Sequence, residues 1–568
     1  MQQGNMLTNL SSNKQILLIM AIGLITRLIA LPFVHTVDAD AVSRIYIAYR
    51  WLQNPYFISS AVWLPLHHYM NAFVIWVSGG ELIYSLKVLH ILFAVATVIP
   101  LYKFTENEFK TKEGAFFVAL TYLFIPIILR NSFHVLSGVP YAFFIATAMY
   151  LLSQGKKLDK PIIYGILAGL SITIAGGLRY EAWLLIAVFT LILILQKQWR
   201  MVVFFWVFAM IFPAVWMTGS YIEHGDLFYG SNGAYRWNIV LMGGNDDLGW
   251  RMLAWRSIYY LRTYFIIFTP VIAFAIIYYT IKSIKNQELD KSTRWWLIPF
   301  IILFAVFIYK AVNGTLLLQA RFLISLIIAS IPFYALVFKE KKHIKLKRTV
   351  AWVIIIMFIP YSYLWEKDIE AFPRIKDKET MNLLASIQSE TSKSDSKSLI
   401  LDFIGWDKTY FIRLRSGVAP DDAFLVNGAK YGKVYPGELA KKIEKNETGI
   451  IVKKHHSKLD EHFHFINDSL LEVRKVSRYL HLKSKIINDK NTLYTYELSD
   501  RAPSIFYSDR KLLKENETEI LQIENKIKAD YKWYNSMIPE ADKRGVEIDT
   551  MVRINAIYLY KQKIKQEK

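Results

Sequence analysis

The stretch "HTVDADAVSRIYIAYRWLQNPYF", residues 35–57, follows an apolar run at 15–34 and sets two carboxylates, Asp38 and Asp40, two positions apart. About 20 mostly apolar residues are what a membrane-crossing helix needs, so the pair stands where the chain leaves the bilayer. Charges beside hydrocarbon are costly and call for a reason. "DADAVSRIYIAYRWL" has helical spacing: Ala41, Ile45, Ala48 and Leu52 share one face, with Arg44 and Tyr46 off it. Asn54–Pro55 stops the helix. The two Asp therefore head a short helix lying along the membrane surface. The helix dipole favours carboxylates there, and either Asp alone also reads as a plain N-cap.

The rest of the chain extends this picture. Apolar runs at 15–34, 84–103, 113–130, 137–153, 161–178, 182–196, 201–218, 259–281, 295–311, 322–338 and 349–365 predict about eleven spans. The loops between them alternate. One set is Lys-rich: 154–160, 196–200, 282–294 and 339–348. The other holds the Asp pair, "RYEAW" at 179–183, the long segment 219–258 and "NGTLLLQAR" at 313–321. The positive-inside rule makes the Lys-rich set cytoplasmic, the N-terminus inside and everything after about residue 366 outside. The net charge of +21 is distributed in this way and predicts no nucleic-acid partner. A hydrophobic fraction of 54% and a mean hydropathy of +0.25 fit a membrane protein with some water-soluble mass. The chain has no cysteine, which excludes disulfides and Cys-based metal sites. The first apolar run is too long for a cleavable signal peptide.

Two domains are expected: 1–365 in the membrane and 366–568 outside it. Within the second, "SLILDF" at 398–403 and "TGIIVKK" at 448–454 read as buried strands, and "TLYTYEL" at 492–498 alternates like a strand. The segments between them read as helical, giving a small α/β domain. From about 503 onward a Lys/Glu-rich stretch reads as amphipathic helix, packed on that domain or extending from it. No internal repeat of the kind common in secondary transporters is present.

On the outer side, "AVWLPLHHYMNAFVIWVSGG" at 61–80 is broken by Pro65 and too short to span, so it lies in the interface with Trp63, Tyr69 and Trp76 at headgroup level. His67 and His68 are candidates for substrate hydrogen bonding or metal ligation, although adjacent residues do not share a helix face. Plain interfacial polar residues are the simpler reading. Arg27 and Lys87 fall within spans, as bundle-facing charges with a role or as side chains near enough to helix ends to snorkel.

The order of these features resembles the GT-C superfamily of integral membrane glycosyltransferases. A span is followed by an outer loop with an Asp, a surface helix, "W-x-P-L" and an interfacial helix. The protein O-mannosyltransferases and aminoarabinose transferases are the nearest type. Further resemblances lie at "RNSFHVLSGVPYAFFIATAMYLL" (130–152), "GILAGLSITIAGGLRYEAWLL" (165–185), "IEHGDLFYG" (222–230) and "QARFLISLIIASIPFYAL" (319–336). Together they cover roughly residues 15–365. The first loop departs from the Asp-Glu of many relatives: here it is Asp-Ala-Asp, closer to oligosaccharyltransferase catalytic subunits. Trp406–Asp407 in "IGWDKTYFIRLRSG" (404–417) partly echoes their Trp-Trp-Asp-Tyr-Gly motif.

The resemblance implies transfer of a sugar from a polyprenyl-phosphate-linked donor to a protein, lipid or glycan acceptor at the outer face of a prokaryotic cytoplasmic membrane. The alternatives are oligosaccharyl transfer to protein and, in another class, a lipid or sugar transporter. Such chemistry needs a base for the acceptor and cations for the leaving phosphate. In the resembling families the catalytic Asp precedes a small residue by eight positions. Asp40 stands so before Ala48, which implies Asp40 as base, with Asp38 as helper, partner in a divalent-metal site, or cap. No other cofactor is implied. For the phosphate the expected residue is Arg321, whose simpler reading is a snorkelling boundary arginine. Arg179 with Glu181 is a second pair, or only a local ion pair. Arg130 and His134 sit on the neighbouring outer turn. The Gly/Asn-rich loop 219–258 suits a lid, with Tyr235 and Trp237 available to stack on a sugar. An ordered connector explains the loop almost as well. The sequons at Asn446 and Asn516 carry little weight.

Overall fold

The computed structural model describes residues 10–34, 37–58, 62–237, 239, 249–364, 378–394, 396–402, 404, 406–426, 443, 445–454, 459, 463–467, 470–473, 478–488, 491–499, 516–544 and 548–566. The chain divides into two compact units, Met1–Arg374 and Ile375–Lys568.

The first unit is helical: α1 (Ser12–Ala30), α2 (Ala39–Gln53), α3 (Leu66–Val77), α4 (Tyr84–Ala96), α5 (Val98–Phe109), α6 (Lys112–Phe124), α7 (Pro126–Asn131), α8 (Gly138–Lys157), α9 (Pro161–Leu178), α10 (Glu181–Leu195), α11 (Trp199–Ala209), α12 (Ile211–His224), α13 (Tyr229–Arg236), α14 (Trp250–Lys285), α15 (Lys291–Arg294), α16 (Ile298–Val312), α17 (Ile324–Ser330), α18 (Leu336–Lys339) and α19 (Ile344–Leu364). Every apolar run read from the sequence falls on helix. Among the described residues seven stretches are long and apolar enough to cross a membrane: Ser12–Phe33, Tyr84–Phe109, Pro161–Leu178, Trp199–His224, Trp250–Lys285, Lys291–Val312 and Ala320–Lys339. Seven of the eleven expected runs thus meet this measure of length and composition. Glu181–Leu195 is apolar but has only 15 residues. The run at 113–130 is two helices because Pro126 forces Ile125 into an extended conformation (ψ 128°). The protein is a multi-pass membrane protein.

The Lys-rich loops gather at one end. Lys156 donates to Ser292, Lys282 pairs with Glu340 at 2.8 Å, Arg348 pairs with Glu113, and Thr293 Oγ1 donates to Glu108 Oε2 at 3.1 Å. Close helix approaches set the packing of the bundle. A Cβ on Gly23 would meet the Leu123 side chain at 2.5 Å, and one on Gly114 would meet the Ala335 Cα at 2.9 Å. Arg27 and Lys87 are fully buried, which is the bundle-facing reading and not the snorkelling one. Arg27 donates to Ser132 Oγ (3.0 Å), the Leu123 carbonyl (2.6 Å) and the Gly23 carbonyl (3.2 Å), while Lys87 donates to the Val34 carbonyl. Neutral acceptors on neighbouring elements capture both cations before they reach a helix end. In doing so they tie α1 to the end of α6 and to Ser132, and α4 to the turn at Val34.

The second unit holds a seven-stranded sheet in the order β2-β1-β3-β7-β6-β5-β4. Its strands are β1 (Ser398–Asp402), β2 (Ala423–Val426), β3 (Thr448–Lys454), β4 (Phe463–Asn467), β5 (Leu470–Val473), β6 (Arg478–Asn488) and β7 (Asn491–Ser499). β1 pairs in parallel with β2 and β3, and the other pairings are antiparallel. β1, β3 and β7 lie where the sequence placed strands. The helices expected between β3 and β7 are absent from the described residues, which form β4, β5 and β6 instead. β6 pairs along nearly its whole length with β7, and that partner, more than local propensity, makes it a strand. The Lys/Glu-rich stretch forms three helices, Glu517–Ala529, Tyr531–Arg544 and Ile548–Gln566, packed on a core of their own that includes Ile520, Ile527, Met537, Val552 and Tyr560.

Candidate active site

Asp38 is the N-cap of α2: its carboxylate accepts the Asp40 N–H at 3.0 Å. The apolar stripe of α2 is the reason the helix docks, since Ala41, Val42, Ile45 and Ala48 are fully buried. Docking brings the first turn of α2 against the turn Ala320–Leu323 that opens the seventh apolar stretch. Arg321 Nη1 donates to Asp38 at 3.1 Å, its Nη2 pairs with Asp40, and its Nε donates to Gln319 Oε1 at 2.8 Å. From the last turn of α7, Arg130 Nη2 reaches the other Asp38 oxygen at 3.3 Å. Two carboxylates and two arginines, far apart in sequence, thus form one cluster.

The two carboxylates differ. The Asp38 side chain is 16% exposed and that of Asp40 is 33%. Burial pushes the Asp38 carboxyl up, but Arg321 and Arg130 overcome it and hold it down at about 2. Asp38 is therefore an ionised anchor, while Asp40 is the more open. His134, buried beside Arg130 and Asp38, is kept well below the usual imidazole range by burial and by the Arg130 charge, so it is neutral.

Arg179 and Glu181 form an ion pair at 2.6 Å. The Arg179 guanidinium also lies over the rings of Phe322 (5.2 Å) and Tyr141 (5.8 Å), which seats the pair beside Arg321. His67 and His68 do not face solvent: both are fully buried. Burial, with the nearby Arg44 charge, drives His67 well down and lowers His68 to about 3. His67 Nε2 lies 3.1 Å from His90 Nε2, and His90 Nδ1 lies 2.7 Å from the Leu86 carbonyl. A carbonyl only accepts, so His90 Nδ1 carries a proton and His90 Nε2 accepts from His67. Tyr235 is 53% exposed on α13. The contacts described for the carboxylate cluster include neither Tyr235 nor Trp237. Of the loop 219–258, residues 238 and 240–248 lie outside the described residues.

The sequence reading missed Arg44, Gln319 and His90. Arg44 was placed off the apolar face, yet it is only 8% exposed, with its guanidinium 5.0 Å from the Trp63 ring centre. Burial lowers it to about 10, so it remains charged. A divalent metal on Asp38 and Asp40 would take the place the arginines hold. Both carboxylates are already ion-paired to arginines, and among the described residues no group of three His, Asp or Glu converges.

No family model matches the chain, and no curated protein matches it. Solved structures do. ArnT from Cupriavidus metallidurans bound to undecaprenyl phosphate aligns with a TM-score of 0.57 at 9% identity, over 85% of this chain and 98% of that one. Its apo state gives 0.53 at 11%, with the same coverage. The oligosaccharyltransferase AglB from Archaeoglobus fulgidus, in complex with an inhibitory peptide and a dolichol-phosphate, gives 0.49 at 13%, over 78% of this chain and 70% of that one. At these identities the likeness is one of fold, and the chain has an ArnT-like fold, a polytopic helical membrane unit followed by a sheet-containing domain.

Proposed function

We propose that the protein is a glycosyltransferase that moves a sugar from a polyprenyl-phosphate-linked donor to an acceptor hydroxyl or amide at the extracytoplasmic face of the membrane. The observation that carries this is the cluster of Asp38, Asp40, Arg130 and Arg321 at the start of a surface helix and the head of a membrane-competent helix. The fold of ArnT, seen elsewhere with undecaprenyl phosphate, supports the donor class.

In the reaction, Asp40 accepts the acceptor proton as the acceptor oxygen or nitrogen attacks the anomeric carbon. The bond from that carbon to the phosphate oxygen breaks, the phosphate leaves with the electron pair, and the centre inverts. Asp38 stays ionised between Arg130 and Arg321 and fixes the first turn of α2. The surrounding guanidinium groups meet the charge that develops on the phosphate. The Lys-rich end faces the cytoplasm in this reading, and the sheet-containing domain lies outside. Mass spectrometry of lipids co-purified with the protein tests the donor class. A polyprenyl-phosphate sugar is the expected finding, and its absence from a preparation active in sugar transfer overturns it.

A further inference from the structure

We propose that Arg44, not Arg321, is the residue that binds the phosphate of the lipid-linked donor. This rests on the glycosyl-transfer reading above and assigns a role within it.

The argument begins with what is already occupied. Arg321 spends Nε on Gln319, Nη1 on Asp38 and Nη2 on Asp40. Asp38 in turn holds Arg130. Arg179 is neutralised by Glu181. Arg44 is different. It has no ion pair and no hydrogen bond among the described residues, and its Nε is sealed from solvent without a partner. Nε is its one nitrogen sealed in that way, so the 8% exposure left to the residue includes its terminal nitrogens. A buried cation with no ion pair or hydrogen bond is unfavourable, and the cost is relieved when an anion arrives in contact with it.

Placement agrees. Arg44 stands four residues after Asp40 on α2, so the two side chains share one helix face, a turn apart. The Asp40, Arg321, Arg179 and Asp38 charges all act on it. The Arg44 guanidinium lies 5.0 Å from the Trp63 ring centre, and a weakly hydrated fork beside an aromatic ring is well suited to a phosphate. With Asp38 and Asp40 set against Arg44, Arg130 and Arg321, the cluster carries one surplus positive charge. A phosphodiester supplies one negative charge, so the donor completes the site electrically. The base and the phosphate ligand then lie on the same surface helix, while Arg321 locks that helix to the membrane bundle.

The test is binding of undecaprenyl phosphate to the purified full chain in detergent, against undecaprenol as the uncharged control. Wild type is expected to prefer the phosphate. Arg44→Gln is expected to bind it at least tenfold more weakly, with an unfolding temperature equal to or above that of wild type, because an uncompensated charge has been removed. Arg44→Lys keeps the charge but loses the fork, and is expected to fall in between. It carries the test if the Gln variant does not fold. Wild-type affinity in both variants overturns the assignment and leaves the transferase reading standing. A wild type that does not distinguish undecaprenyl phosphate from undecaprenol overturns that reading, and this assignment with it.

Discussion

At the scale of single residues, the two carboxylates of the opening stretch have different surroundings and different expected roles. Asp40 is the more exposed, and Asn at this position keeps its shape but cannot accept a proton. Asp40→Asn is expected to lower the rate of sugar transfer by about 10²–10⁴-fold, with unfolding temperature and lipid-phosphate binding near wild type. Near-wild-type turnover removes Asp40 from the mechanism. Asp38 caps α2 and also holds two arginines. Asn is as good a cap as Asp, so Asp38→Asn separates the two. The helix is retained while the anchor for Arg130 and Arg321 is lost, and transfer is expected to fall at least tenfold. Asp38→Ala, which loses cap and charge together, is expected to lower the unfolding temperature as well. If the Asn variant transfers sugar normally, capping is the whole of its role.

At the scale of elements, the site depends on turns being brought together by close helix packing. Gly114 near the start of α6 faces the Ala335 backbone, where a Cβ would lie 2.9 Å from the Ala335 Cα and 2.8 Å from its Cβ. Neither neighbour can rotate away, so Gly114→Val is expected to cost about 1–3 kcal/mol by overpacking. This is read as a lower unfolding temperature in detergent; an unchanged temperature means that α6 has room the structure does not show. Arg27 works at this scale too. Its three neutral acceptors join α1 to the Leu123 carbonyl and Ser132, next to the turn that presents Arg130 and His134.

At the scale of the molecule, pH acts through buried histidines. His67, His68 and His134 are neutral in the folded protein because burial lowers each of them, and each takes up a proton near 6.5 once unfolded. The unfolded chain therefore binds more protons between pH 6.5 and the folded values. Stability is whole above about 6.5 and declines as pH falls below it, by up to about 1.4 kcal/mol per unit for each His. The unfolding temperature is expected to drop between pH 7 and pH 5, and a flat profile means these imidazoles are hydrated or charged. Asp38 adds a further loss only at lower pH, from about 4 down to about 2. The sequence by itself determined the membrane class, the helical character of every apolar run, the surface helix with its Asp pair, and three of the seven strands. Each is a local matter of hydropathy, periodicity or capping, legible within a short window. The tertiary structure alone decided that Arg321 and Arg130 meet on Asp38 and that His67 is spent on His90. It also decided that Arg44 is buried without an ion-pair partner, and that 463–467, 470–473 and 478–488 are strand and not helix. These depend on partners up to 283 residues away, and no window along the chain contains the neighbour that sets the outcome.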